Sequence, residues 1–314
     1  MSESQGEQSV MHILVTGANG QLGRCIADEL RVQKIAHTLL GHRDADINDT
    51  VVLERLVSEK SVSAVINAAA YTAVDKAESE PELAKRVNHD GPEALAKLCS
   101  RFGIPLLHVS TDYVFDGAQS KAYTESDATS PTGVYGKTKL DGEIAVQRHC
   151  PQHIILRTAW VFSEYGNNFL KTMLRLGGER DTLGVVADQV GCPTYARDIA
   201  RALVNIVGQL YSQTHSETGS ESHYGIYHYA GNDAVSWHGF AVAIFDQAYQ
   251  HGLLEKTPIV NAITTGDFPT PAKRPAYSVL STAKINANFG IPASDWRAGI
   301  IAAEHLIFSE AASQ

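Results

Sequence analysis

Residues 12–23 read HILVTGANGQLG: an apolar run from His12 to Thr16 enters a turn with glycine at 17, 20 and 23. A helical stretch follows from about Gly20 to Val32, so the local order is strand, turn, helix. The glycine spacing is G-x-x-G-x-x-G, which differs from the G-x-G-x-x-G of many dehydrogenases. Glycine lets the backbone turn tightly and approach a pyrophosphate, while the helix start offers free N–H groups and the positive end of its dipole. The plainer alternative is a loop that needs glycine only to turn. Its position directly after the first strand favours dinucleotide binding.

Working outward, Ala36 to Leu40 reads as a second strand, Val51 to Ser58 as a helix and Ala64 to Asn67 as a third strand. Pro81 to Phe102 reads as one or two helices interrupted near Gly91-Pro92, and Pro105 to Ser110 as a fourth strand. A helix carrying Tyr135 and Lys139 and a strand at Ile154 to Leu156 come next. Strands alternating with helices imply an α/β fold, a Rossmann-type doubly wound parallel sheet covered on both faces. After Trp160 the alternation loosens. Helices are expected at Asn168–Leu176, Tyr195–Leu210, Ser236–Gln250 and Ser294–Phe308, with a strand at Ile226–Tyr229 and a polar loop from Ser212 to His223. The expected organisation is a disordered leader at 1–10 and a dinucleotide-binding domain at 11–165. Residues 166–314 then form mainly a smaller substrate-binding lobe, partly interleaved with that domain.

Composition limits the function classes. With 26 Lys and Arg against 35 Asp and Glu, the net charge of -9 disfavours nucleic-acid binding, which needs clustered cations. Apolar runs are too short for a membrane span. The four cysteines are scattered without C-x-x-C spacing, which points away from a disulfide framework or structural zinc and toward a reducing cytoplasm. Thirteen histidines show no metal-binding spacing, and no metal is predicted.

Tyr135 and Lys139 lie four apart in VYGKTKLDGE, so the phenol and the ammonium share one helix face. A cation beside the phenol favours phenolate and makes a general acid/base; an exposed helical pair is the bland alternative. At the end of the second strand, LGHR offers no acid for a ribose hydroxyl, and Arg43 is a candidate partner for a 2′-phosphate, which favours NADPH. Asp44 and Asp46 keep NADH open. Asn67-Ala68-Ala69-Ala70 ends the third strand in small residues that let a dinucleotide lie against the backbone. Ser110-Thr111-Asp112 puts hydroxyls at the ligand edge of the sheet. The chain lacks a G-x-S-x-G elbow and a Walker lysine motif, which weakens hydrolase and nucleotide-triphosphatase readings.

TGANGQLG, NAAAYTAVD, VSTDYVFDG and YGKTKLDGE occur in that order, and with them the chain resembles the extended short-chain dehydrogenase/reductases. RTAWVF at Arg157, GNNFLKTML at Gly166, DQVGCPTYARDIA at Asp188, GIYHYAG at Gly225, SWHGFA at Ser236 and RPAYSVLS at Arg274 narrow the resemblance to the dTDP-4-dehydrorhamnose reductase family, over nearly all the chain from Met11. The resemblance implies reduction of the 4-keto group of a dTDP-sugar. Tyr135 would give the proton, Lys139 would bind the nicotinamide ribose and lower the tyrosine pKa, and Thr111 would polarise the carbonyl. Cofactor contacts are expected from Gly17, Asn19, Gly20, Gln21, Leu22, Arg43, Asp46, Ile47, Ala68, Ala69 and Ala70, together with Tyr135 and Lys139. Asp112, Trp160, Asn168 and Arg274 are the substrate candidates. Trp160 has a core aromatic as its alternative, Asn168 a helix cap and Arg274 a structural ion pair. Some relatives hold magnesium between two subunits through glutamates. Cys25 and Arg197 stand where such carboxylates are expected, so a homodimer stays open and one built on that metal is in doubt. A regulatory subunit of methionine adenosyltransferase keeps a similar YGKTKLDGE segment and supplies a competing, non-catalytic reading; a reductase of another 4-keto sugar nucleotide is the other alternative.

Overall fold

A computed structural model describes residues 10–214 and 223–312. At its centre lies a sheet of six strands, each neighbouring pair parallel. Strands β1 (His12–Thr16), β2 (Ala36–Leu40), β3 (Ala64–Asn67), β4 (Leu106–Thr111) and β5 (His153–Thr158) lie in the spatial order β2-β1-β3-β4-β5, and Gly225–His228 adds the edge beside β5. The order reverses at β1, whose two neighbours are β2 and β3. Ligands of open α/β sheets bind outside the carboxyl ends of the strands at such a point. The doubly wound parallel sheet expected from the alternation is therefore present.

Strand periodicity divides the core. Ile13, Val15 and Ile66 face one layer, where Ile26 and Leu30 of α1 (Gln21–Val32) meet Ile199, Leu203 and Ile206 of the helix Ala196–Thr214. Leu14 and Val65 face the other, against Leu53 and Val57 of α2 (Thr50–Glu59) and Leu95 and Cys99 of the helix Gly91–Phe102. Successive residues point to opposite faces because the side-chain period of a strand is two. Each such burial contributes roughly 1.5–3 kcal/mol.

The segment from Pro81 is interrupted just before the expected place. Pro81–Lys85 is α-helical, Arg86–Asp90 forms a π-turn, and the helix resumes at Gly91. Pro92 has no N–H to continue the ladder, and the wider turn absorbs the missing bond.

A second core gathers Leu170 and Met173 of the helix Phe169–Glu179, Phe240 and Phe245 of Trp237–Gln250, and Trp296 of Trp296–Ala312. The pairs Thr182–Val186 with Ile259–Ile263, Val161–Phe162 with Thr194–Tyr195, and Val190–Gly191 with Val235–Ser236 were not legible as strands. Most are two residues long, too short for a periodic signal. The polar loop expected from Ser212 starts later than its composition suggests, since the helix runs to Thr214; residues 215–222 lie outside the described residues, as does the leader expectation for residues 1–9. Among the described residues no helix is long and apolar enough to cross a membrane.

Candidate active site

The glycine turn packs onto the end of β3. Gly17 has φ +72°, and a Cβ there would lie 2.4 Å from the Ala69 nitrogen, so both conformation and space demand glycine. Gly20 caps α1 without a side-chain hydrogen bond, and the first turn carries no acidic residue. The first N–H groups of α1 thus lack a side-chain cap, as a bound anion requires. Gly17, Asn19, Gly20, Asp46, Ile47, Ala68, Ala69 and Ala70 line one cleft of about 600 Å³. Gly20, Gln21, Leu22, Ala68 and Ala70 line the adjoining cavity of about 310 Å³, which also holds Thr111, Asp112, Tyr135, Lys139 and Trp160. Gly20, Ala68 and Ala70 border both, so the two spaces adjoin. A glycine turn, an uncapped helix start and small residues along both spaces fit the dinucleotide that the motifs imply.

Arg43 is the exception. It is exposed on the loop after β2 and does not line the cleft, whereas His42 and Arg86 do. Arg86 pairs with Asp46 at 2.5 Å, and hydrogen bonds from Asn48, with the guanidinium behind them, hold the Asp46 carboxyl below its ordinary range. Arg86 had no sequence signal, because it reaches the cleft from the π-turn forty residues away.

The helix Val134–His149 brings Tyr135 and Lys139 to the same wall. Its first N–H, at Val134, donates to the Glu78 carboxylate at 2.8 Å, a charge of the right sign for a helix start. Gly136 lets it lie against the loop after β4, since a Cβ there would stand 2.2 Å from the Tyr113 carbonyl oxygen. Tyr113 meets Tyr135 edge to face, with centroids 5.3 Å apart. Lys139 is buried, and its Nζ donates to the Val109 carbonyl at 2.7 Å and stands 3.4 Å from His108 Nε2. Burial lowers its pKa to about 8, the Glu143 carboxylate acting in the opposite direction.

The expected lowering of the Tyr135 pKa by Lys139 is not met. Burial pushes the phenol up to about 12; a hydrogen bond with Thr111 opposes the rise, the Asp112 charge adds to it, and Lys139 is not among the groups that act. The lysine is engaged by β4 instead.

Of the two hydroxyls on β4, Ser110 donates to Glu143 at 2.5 Å, so Thr111 is the one turned to the tyrosine. Thr111 also donates to Asp112 Oδ1 at 2.9 Å. Burial pushes the Asp112 carboxyl up to about 6, against hydrogen bonds from Ser278 and Thr111.

Trp160 has φ +47°, a costly conformation for a bulky residue, and it borders the Tyr135 cavity while stacking on Trp237. Trp237 borders a further cavity of about 460 Å³ with Phe169, Gln189, Phe268 and Arg274. Arg274 forms a two-pronged ion pair with Asp75. Asn168 lines none of these spaces. Its oxygen caps the helix Phe169–Glu179 at the Lys171 N–H, and its amide donates to the Ser163 and Tyr165 carbonyls and to Gln21 Oε1, so it reaches the cleft only through Gln21. Tyr113, Trp237, Asp75 and His108 were missed by sequence reasoning. Aromatic character and an isolated charge gave no distinguishing signal.

Cys25 is buried, and Arg197 pairs with Glu164 at 2.5 Å and Asp28 at 3.0 Å.

The family described as RmlD substrate binding domain matches residues 11–306. A dTDP-4-dehydrorhamnose reductase of Aggregatibacter actinomycetemcomitans is 48% identical over 289 residues, 91% of this chain and 95% of that protein. One from Salmonella typhimurium is 40% identical over 92% of this chain and 96% of its own length. Among solved structures, a dTDP-4-dehydrorhamnose reductase of Clostridium acetobutylicum superposes with a TM-score of 0.85 at 38% identity, covering 95% of this chain and 99% of that one. The Bacillus anthracis reductase in complex with NADP gives 0.84 at 33% identity, covering 94% and 98%.

Proposed function

Since the chain belongs to the RmlD substrate binding domain family, whose relatives here are dTDP-4-dehydrorhamnose reductases, we propose that it reduces the 4-keto group of dTDP-4-dehydro-L-rhamnose to give dTDP-L-rhamnose with NADPH. The observation that carries this reading is a pair of adjoining spaces that share Gly20, Ala68 and Ala70, the glycine turn lining one and Tyr135, Thr111 and Lys139 the other. NADPH, when bound, supplies the hydride that arrives at the sugar C4 and leaves as NADP⁺. Tyr135 gives its hydroxyl proton to the oxygen that becomes negative as the hydride arrives, and the phenolate regains a proton from solvent. With burial holding its pKa near 12, the phenol carries that proton throughout the neutral range. Thr111, its hydroxyl proton turned from Asp112 Oδ1, donates a hydrogen bond to the same oxygen, which stabilises charge only as it develops. Lys139 binds the nicotinamide ribose. The aromatic-lined cavity beyond Trp237 receives the pyrimidine, and Asp112, Trp160 and Arg274 contact the sugar and diphosphate.

The test is an absorbance assay at 340 nm with dTDP-4-dehydro-L-rhamnose, run with NADPH and with NADH and repeated with Arg43→Ala and Arg86→Ala. Oxidation dependent on the keto sugar is expected. Arg86→Ala should weaken NADPH more than NADH, and Arg43→Ala less so. No turnover with any 4-keto sugar nucleotide would move the protein to the non-catalytic, partner-binding class.

A further inference from the structure

Beneath the cofactor cleft runs a buried chain of polar contacts that joins three strands to the lysine. Thr16 Oγ1 donates to Asn67 Oδ1 at 2.7 Å, and the Ala69 N–H donates to the same oxygen at 3.1 Å. A backbone N–H can only donate, so the carbonyl side of the Asn67 amide is fixed toward Ala69 and its Nδ2 must face His108 Nδ1, 3.0 Å away. Nδ2 donates, which makes Nδ1 an acceptor and leaves the ring proton on Nε2. Nε2 stands 3.4 Å from Lys139 Nζ. Thr16, Asn67 and His108 are all fully buried, so no bulk solvent competes for these groups.

From this geometry we infer that His108 is a positioning residue for Lys139: held as the Nε2–H tautomer by Asn67, it presents a donor to the lysine nitrogen and favours the neutral amine. An N–H cannot donate to an ammonium, so the contact is favourable only when Nζ has a free lone pair. The same pairing leaves the Val109 carbonyl as the one acceptor holding the lysine in place among the described residues. Burial of His108 pushes its own pKa far down, in keeping with a neutral ring. The other titratable groups around the lysine are Tyr135 and Glu143 on its own helix, with Glu143 neutralised by Arg157 from β5. The inference rests on the reading of Lys139 as a cofactor- and proton-handling residue, and it adds a device that sets its charge.

The experiment follows the side chains directly. Full-length protein labelled with [13Cε]lysine is titrated by NMR, with Lys139→Met assigning the signal, and 15N spectra of labelled histidine report the His108 tautomer. In the unaltered protein Nε2 should carry the proton. His108→Asn keeps an acceptor for Asn67 but places nothing against Nζ, so the Lys139 midpoint should rise by roughly 0.5–1 pH unit. Asn67→Asp accepts the proton of Nδ1 instead, so the tautomer should invert and the lysine midpoint should rise without any change in volume. A ring protonated at Nδ1 in the unaltered protein, or an unmoved midpoint in a folded His108→Asn protein, overturns the inference. If His108→Asn fails to fold, an uninverted tautomer in Asn67→Asp does so. These readouts need no turnover, so an inactive protein would overturn the functional reading and leave this one standing.

Discussion

Arg274 grips Asp75 through two near-parallel hydrogen bonds, Nη1 to Oδ1 at 3.1 Å and Nη2 to Oδ2 at 3.0 Å, and so ties the segment after β3 to one 199 residues further along. The Ala272 N–H donates to the same carboxylate at 3.2 Å. The pair is part-exposed, so its contribution to stability is modest, while its effect on where Arg274 points is direct. Arg274→Ala is expected to raise KM for the dTDP-sugar by about tenfold or more, the loss of one charge-assisted contact. Asp75→Asn should raise it less and leave kcat within about twofold, because the guanidinium remains but is less well aimed. Steady-state kinetics on both variants checks the ordering; an unchanged KM in Arg274→Ala would return this arginine to a purely structural role.

Tyr135→Phe removes the proposed proton donor and keeps the ring that meets Tyr113 edge to face. The expected outcome is a fall in kcat of about 10²–10⁴ with the affinity for NADPH nearly unaltered. Fluorescence titration of NADPH beside the rate measurement separates the two. Turnover at the original rate would remove Tyr135 from the mechanism.

Glu143 and Arg157 join the YGKTKLDGE and RTAWVF segments through a buried ion pair, with Arg157 Nη2 2.6 Å from Glu143 Oε2 and side chains 0% and 3% exposed. Arg157→Met leaves an uncompensated buried carboxylate and should destabilise the fold by about 3–5 kcal/mol. Adding Glu143→Gln should recover part of the loss, since the stranded charge is then gone. Urea denaturation of the single and double variants reads this; a double variant less stable than the single would contradict the explanation.

Glu304 is buried, and neither carboxyl oxygen has a hydrogen-bond partner among the described residues, the nearest basic atom being His251 Nδ1 at 3.6 Å. Burial pushes its pKa from 4.5 up to about 8. The folded value lies above the unfolded one, so the relative stability this group gives is present below about pH 4.5 and is lost as pH rises toward 8. Glu304→Gln should therefore raise Tm at pH 8.5 by a few degrees, about 1–3 kcal/mol, and change it little at pH 4.5. Melting curves at the two pH values test the sign; equal shifts at both would show that the carboxyl does not titrate in this window.

The short two-residue strands and the end of the helix at Thr214 were beyond sequence reasoning, because neither leaves a full period to read. That Gly17, Gly20 and Ala68 to Ala70 would line one cleft was legible for the opposite reason. Small residues at strand ends report close backbone approach, a local property. Arg43 stands exposed on the loop after β2, because adjacency to a strand says where a residue starts and not where its side chain points, while Arg86 lines the cleft from the π-turn. Asn168 likewise sits beside its motif yet spends its hydrogen bonds on the cap and on Gln21.

By itself the sequence determined the doubly wound sheet, the glycine turn after β1 and the pairing of Tyr135 with Lys139 on one helix face. Each of these is set by periodicity or by the conformational range of a few adjacent residues, which short windows contain in full. Tertiary structure alone decided the electrostatics. Lys139 turns to Val109 and His108 on β4, Trp160 stacks on Trp237, and Arg274 reaches back to Asp75. Those partners lie 30 to 199 positions apart, and the desolvation that moves Tyr135 and Lys139 from their ordinary pKa values exists only once distant elements close over them.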